Sequence, residues 1–444
     1  MKISAGFGVN ASNINSTSGI HSSSLDHSNP STKALVMGGS VTIASIPDHL
    51  MVDTLGEFLN GQVGTFCIAS QVCKSWNTIL EDNLIWKKSL VSRFGSDERL
   101  YNYRRRGSQR KSLFTSQRII SKETYASTHL LERRFSSGDF SSRFYDRFDA
   151  ALTDILISGD KVYIGDNKGR IHVHVPSAVG QPNCDWETPE AVTPAEAFNS
   201  PNLTGVSCLT DQGSILLSGH ADGAVSVWSA ARTDETTRIA AHEDNCRINS
   251  IVAPSECFFA SSSPVDMSVR ITDVESKSES FMRRFAPEAA PNALDVSPFS
   301  PSVILVGCRD NSVRLVDVRS RKDSIEISMA DWCLCVEWSH TNEFQIRASD
   351  KAVALFDLRA PEHPLESRHK SERLVTKFKS DSILRLVSCG LDGEVKLSSL
   401  EWLRDPVTIQ TRDDYILAVD FDRTSLCFGG INGIFQSFNF YTSS

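Results

Sequence analysis

The chain has 444 residues, a formal net charge of −8 and 40% apolar residues, which suits one large domain with a smaller one beside it. The acidic balance argues against general nucleic-acid affinity, and the sequence holds no run of about 18 apolar residues to cross a membrane. Its eleven cysteines are an odd count, scattered and without a C-x-x-C pair, the pattern of reduced thiols in a cytoplasmic or nuclear protein.

Residues 1–44 are expected to form a disordered tail. The first 45 positions hold eleven serines and almost no aromatics, too little apolar surface to offset the entropy of ordering. The stretch 45–92 changes character. Apolar residues recur at helical spacing in two runs, Leu50, Leu55, Phe58 and Leu59, then Phe66, Ala69, Cys73, Trp76 and Leu80, each on one face of a helix. Ile46-Pro47 opens the first helix, and Gly61 and Gly64 separate the two. About 45 residues build a thin core, so Trp76 and Trp86 either pack on the rest of the chain or form an interface. The segment resembles an F-box, on Ile46-Pro47, Leu50, Leu55, Phe58-Leu59, Phe66, Ala69, Val72-Cys73, Trp76, Leu84 and Trp86, with Ile46 and Phe66 in place of the usual leucines. That resemblance implies docking on the small Skp-type adaptor of a cullin-RING ubiquitin ligase through Pro47, Leu50, Leu55, Leu59, Val72, Trp76, Leu84 and Trp86.

Residues 93–147 are basic, with RRRGSQRK at 104–111 and Arg133-Arg134. A solvated linker of helix and loop, and a nuclear-localisation or anion-contact patch, both fit this composition.

From residue 148 a unit recurs seven times as a short turn followed by an alternating strand: KGRIHVHV, DGAVSVWS, DMSVRITD, DNSVRLVD, DKAVALFD, DGEVKLSS and NGIFQSFN. The shared strand position falls at Ile171, Val225, Val269, Val313, Val353, Val395 and Phe435, at intervals of 54, 44, 44, 40, 42 and 40 residues. A second apolar strand precedes each turn, as in SILLSGH. A third lies upstream, as in LAVDFD, and most units add a fourth after the turn strand, as in SIEISM. Short strands joined by two-residue turns form antiparallel sheets, and a period of about 40–45 residues with four strands is a propeller blade. The first unit carries an insertion after His174, rich in Pro, Asn and Glu, expected to be surface loop. The last unit ends at Phe440-Tyr441 without a fourth strand. An open edge invites aggregation, so the missing strand is expected from 132–148, ahead of the first blade.

This half resembles a WD-repeat β-propeller of seven blades. Only Trp228 keeps the signature tryptophan, Asp273, Asp317 and Asp357 keep the following aspartate, and Ala241-His242 stands at the Gly-His place. The His/Asp/Ser/Trp hydrogen-bonded set of regular blades is therefore expected to be mostly incomplete. The expected fold class is α plus all-β: a small helical F-box, a basic linker, and a propeller over 148–444 closed by an N-terminal outer strand.

Catalysis finds little support. No Gly-rich phosphate loop, HExxH or GxSxG motif occurs. His172 and His174 alternate on a strand without a partner that would complete a metal site, and Asp222, Asp310 and Asp392 sit in turns, where hydrogen bonding is their ordinary work. A non-catalytic protein without cofactor or metal is the expectation. The combined resemblance, to the F-box/WD-repeat family, implies a substrate receptor of an SCF-type (Skp–cullin–F-box) ligase whose propeller holds an unidentified protein target. Related receptors read phosphorylated peptides with arginines around the upper face of the propeller. Arg309 and Lys377 match such places, while Ala221, Val265, Ser349 and Leu391 occupy others, so an apolar or mixed face is expected. A second resemblance runs through Asp317-Val318-Arg319 and Asp357-Leu358-Arg359. These D-x-R motifs are similar to those of WD-repeat receptors for the damaged-DNA-binding adaptor of the cullin-4 ligase class, although the pattern is also common at blade ends. A third reading is a non-ligase scaffold with a worn helical module.

Overall fold

The computed structural model describes Trp86 and residues 121–174 and 204–440, with breaks at 160, 213–214, 230–231, 321, 340–341, 382–384, 400–405, 411–413 and 423. The Ser-rich tail, the F-box positions other than Trp86, the RRRGSQRK run and the insertion after His174 lie outside the described residues.

Alternating apolar residues build seven antiparallel sheets. Helix α1 (Ser121–Ser137) and strand β1 (Ser142–Arg147) come first. Blade 1 is β2 (Leu152–Ser158), β3 (Lys161–Asp166) and β4 (Ile171–His174). Blade 2 is β5 (Val206–Gln212), β6 (Ile215–His220), β7 (Ala224–Ser229) and β8 (Arg232–Ala240). Blade 3 is β9 (Ser250–Ser255), β10 (Phe258–Ser263), β11 (Ser268–Asp273) and β12 (Glu279–Arg284). Blade 4 is β13 (Pro291–Val296), β14 (Val303–Cys308), β15 (Ser312–Asp317) and β16 (Lys322–Ser328). Blade 5 is β17 (Cys335–Trp338), β18 (Gln345–Ser349), β19 (Val353–Asp357) and β20 (Glu366–Arg368). Blade 6 is β21 (Val375–Ser380), β22 (Arg385–Gly390), β23 (Glu394–Ser399) and β24 (Val407–Gln410). Blade 7 is β25 (Ile416–Phe421), β26 (Ser425–Gly430) and β27 (Ile434–Asn439), with β1 as its outer strand. The innermost strands touch in cyclic order, β2, β5, β9, β13, β17, β21, β25 and back to β2, so the blades form a closed seven-bladed propeller.

The repeat that marks the blades is also what fills them. The shared apolar residue lies on the third strand of every blade, from Ile171 to Phe435, and in none is it more than 3% exposed. In four of the turns that precede it, Asp222, Asp266, Asp350 and Asp392 accept the N–H two residues on, at 3.2, 3.1, 3.0 and 3.1 Å. Gly223 and Gly393 take the left-handed backbone after that aspartate, at φ 90° and 76°. Met267 and Asn311 adopt the same conformation without glycine, at φ 57° and 63°. Neighbouring blades bury their faces against each other, as where Leu305, Val313 and Leu315 of blade 4 meet Val336, Trp338 and Ile346 of blade 5.

Closure uses chain from ahead of the first blade. Strand β1 pairs antiparallel with β27, in register from Ser142 opposite Asn439 to Arg147 opposite Ile434. Ser141 donates its N–H to the Asn439 carbonyl at 2.7 Å, and Phe148 donates to Gly433 at 2.8 Å, so the pairing is pinned beyond both ends. Of the stretch 132–148, the first part completes α1 and the second forms β1. The helix has a packing reason. Leu131 and Phe135, one turn apart, join the cluster of Leu397, Phe421, Leu426 and Phe440 at the seam of blades 6 and 7. The Phe135 ring lies 5.5 Å from that of Phe421 and 5.3 Å from that of Phe440, with the Arg385 guanidinium over it at 4.8 Å. We expect Phe135→Ala to cost about 3–5 kcal/mol by opening a cavity at the seam, read as a lower urea midpoint. An unchanged midpoint would mean that α1 is not part of the propeller core.

Candidate functional site

Strand alternation sorts the loops onto two faces. The upper face carries the connections between blades and the turns between second and third strands. The lower face carries the turns between first and second and between third and fourth strands. A channel lined by the innermost strands joins them.

The channel is built from a recurring bulge. The pairing of first and second strands slips one residue at Leu152/Asp154, Val206/Cys208, Pro291/Ala293, Val375/Lys377 and Ile416/Ala418. Asp154, Cys208, Ala293, Lys377 and Ala418 therefore occupy one rung of the ring. Lys377 of blade 6 forms an ion pair with Asp154 of blade 1. Blade 7, between them in the ring, carries Ala418 at the same bulge position. Asp154 also accepts the N–H of Leu209 at 2.7 Å, which ties blade 1 to blade 2. Two residues further along, Asp295 accepts the Trp338 N–H at 2.6 Å, Glu337 the Ser380 N–H at 3.0 Å, and Asp420 the Ile157 N–H at 2.6 Å. Lys379 pairs with Asp420. Burial works against the Lys377 ammonium, but the Asp154 carboxylate outweighs it and holds the pKa above the ordinary lysine value.

The two residues singled out for target binding thus have different surroundings. Lys377 is engaged by a carboxylate inside the channel. Arg309 is exposed on the upper face, where its Nε donates to Asn292 Oδ1 at 3.1 Å and its guanidinium lies 5.5 Å from the Trp332 ring. Trp332 was not legible as a surface residue, and neither was its counterpart Tyr415. Both follow an aspartate at the entry to an innermost strand, in Asp331-Trp332 and Asp414-Tyr415. They are 47% and 45% exposed, and each has an arginine against its ring, Arg309 and Arg373. An Asp-aromatic pair just before a buried inner strand was the available signal. Around Tyr415, between the upper turns of blades 6 and 7, lies a groove of about 490 Å³.

The D-x-R motifs lie on the lower face. Asp317 and Asp357 each accept the N–H of the arginine two residues on, at 2.9 Å in both turns. Arg359 adds two side-chain bonds to Asp357, at 2.9 and 2.5 Å, and lies 5.0 Å from the Phe344 ring centroid. The bond from Arg359 holds the Asp357 carboxyl at about 2. Arg319 is exposed. Phe258, Phe299 and Phe344, exposed at the first turns of blades 3, 4 and 5, stand in the same sector. Of the F-box positions, Trp86 is helical and buried, while Pro47, Leu50, Leu55, Leu59, Val72, Trp76 and Leu84 fall outside the described residues.

No family model matches the chain, and no curated protein matches it in sequence. Among solved structures it is similar to the WD40 β-propeller domain of Doa1, with a TM-score of 0.55 and 15% identity over 68% of this chain and 98% of that one. The fold is that of a WD40 propeller. At this identity the likeness is one of architecture.

The WD40 hydrogen-bonded set survives here in fragments. His242 bridges Asp266 at 2.8 Å and Ser261 at 3.0 Å. Trp228 donates to Ser218 at 3.0 Å, and Ser218 meets His220 at 3.0 Å. His369, which the repeat did not reveal, lies between the hydroxyls of Ser388 and Ser398, both at 2.8 Å. Burial pushes its pKa down to about 3, so the neutral ring accepts from one serine and donates to the other. The strand histidines are likewise internal. His172 meets Asp166 at 3.1 Å, and His174 is buried and stacked on Phe435.

The channel pair gives a test of its structural role. Lys377→Met is expected to cost about 2 kcal/mol, because it leaves the Asp154 charge recessed without its cation. Adding Asp154→Asn should recover part of the loss. Chemical denaturation of the two single variants and the double variant measures this, and additive losses would show that the pair carries no coupling.

Proposed function

We propose that this protein is the non-catalytic substrate-recognition subunit of an SCF-type ubiquitin ligase, with residues 45–92 docking on a Skp-type adaptor and the WD40 propeller holding a target protein. The reading rests on one pairing. An F-box-like sequence from Ile46 to Trp86 precedes a propeller whose upper face offers exposed aromatic and arginine side chains on a rigid ring. Such a chain breaks no bonds itself. It contributes proximity, by fixing a target beside a ubiquitin-loaded enzyme. Its place of action would be the cytoplasm or the nucleus.

The lower face supports a second reading. Arg359 against Phe344, with Phe299 and Arg319 on the neighbouring blade, makes a mixed apolar and cationic surface of the composition that protein interfaces favour. That surface would serve the damaged-DNA-binding adaptor or another scaffold partner.

One capture experiment separates the two. The full chain should retain purified Skp adaptor, and Leu55→Ala with Leu59→Ala should abolish this while Arg319→Ala with Arg359→Ala leaves it intact. Retention of the damaged-DNA-binding adaptor that only the arginine pair removes would favour the second reading. Capture of neither adaptor by a folded chain would leave the propeller as a scaffold outside these ligases.

A further inference from the structure

The groove around Tyr415 has a definite chemistry. Leu391 and Ile431 supply apolar walls, and Tyr415 presents an exposed ring. Three carboxylates line it, of which Asp392 accepts from the Ser371 hydroxyl at 2.5 Å and is shared with Lys396 at 3.8 Å. Asp414 is almost fully buried and accepts the Asn432 N–H at 3.0 Å. It lies so close over Gly430 that any side chain there would collide with its carboxylate, so the bare backbone of Gly430 makes its seat. Glu372 is exposed at the rim. Against these stands Arg373, exposed, its guanidinium 5.5 Å from the Tyr415 ring centroid and donating to the Tyr415 hydroxyl at 3.2 Å.

That arrangement already holds a guanidinium. Arg373 lies over the ring and donates to its hydroxyl, and none of the groove carboxylates forms an ion pair with it among the described contacts. A guanidinium from outside that took its place would find an aromatic face, two apolar walls and the Glu372 and Asp414 carboxylates together. We propose that this groove receives an arginine side chain of the target, presented on an extended peptide segment, with Arg373 as the internal group it displaces. The proposal deepens the receptor reading by naming the class of target, and the binding itself needs no F-box.

The test uses the full chain and fluorescein-labelled octapeptides of alternating glycine with arginine, lysine or glutamate, followed by anisotropy. The arginine peptide should bind best. Tyr415→Ala, which leaves the net charge unchanged, should weaken it about tenfold. Arg373→Ala should strengthen it several-fold, because the ring is vacated and a like charge is removed. Weaker binding by Arg373→Ala, or a preference for the glutamate peptide, would make the groove an anion site and overturn the proposal. Equal binding by Tyr415→Ala would reduce the effect to general attraction toward an acidic chain, and would also overturn it. Skp capture measured on the same preparations keeps the readings apart. Loss of capture with peptide binding intact sinks only the F-box assignment, and the reverse result sinks only the groove.

Discussion

The innermost strand of each blade runs beside a neighbour with which it shares no sheet, so backbone groups facing the channel need partners from the next blade. Carboxylates supply several of them. Asp154, Asp295, Glu337 and Asp420 each reach across a seam to a peptide N–H of the adjoining blade. Hydroxyls serve the carbonyls, with Thr153 donating to Val206 and Thr376 to Ile416, both at 2.7 Å. A charged acceptor on a backbone N–H makes a stronger bond than a neutral one. It also concentrates negative charge in a narrow space, and Lys377 and Lys379 relieve that. A lysine in such a place is therefore part of what holds the ring together. It is less available to a ligand than its position in the sequence implies.

The blade pattern could be read from the sequence because it is local. A turn aspartate, a left-handed residue and a β-branched residue sit within four positions, and the same short motif recurs at intervals near 42 residues, as from Val353 to Val395. The clasps across the channel are equally regular but long-range. Asp295 to Trp338 and Glu337 to Ser380 both span 43 residues. Their regularity shows only after the bulges fix which residues share a rung. Surface aromatics escaped for a different reason. Trp332 and Tyr415 adjoin the buried Cys333 and Ile416, and within those apolar runs only the preceding Asp331 and Asp414 hint at which residue faces outward. His369 was hidden because no Gly-His pair announces it, although its two serine bonds are those of a structural histidine.

The two faces are chemically unlike. Above, arginine–aromatic pairs stand at the entry to blades 5 and 7. Below, phenylalanines mark successive turns of blades 3 to 5, and Arg359 of the blade 5 Asp-x-Arg turn lies against Phe344. The ring between them is closed and clasped, so neither face has much freedom to remodel. A partner on one side would meet a surface shaped in advance, and two partners on opposite sides would be held at a fixed separation.

Strand β1 is among the first parts of the propeller to be synthesised and the last to find its place. Its partner β27 lies far downstream, and the Ser141 hydroxyl bonds a carbonyl 298 residues later. At ribosomal speeds of about 5–20 residues per second, that strand waits roughly 15–60 seconds for its mate. Through that interval the nascent ring is an open arc with two unsatisfied edges. The order of synthesis therefore makes the unfinished arc the stage at which a chaperone has most to protect.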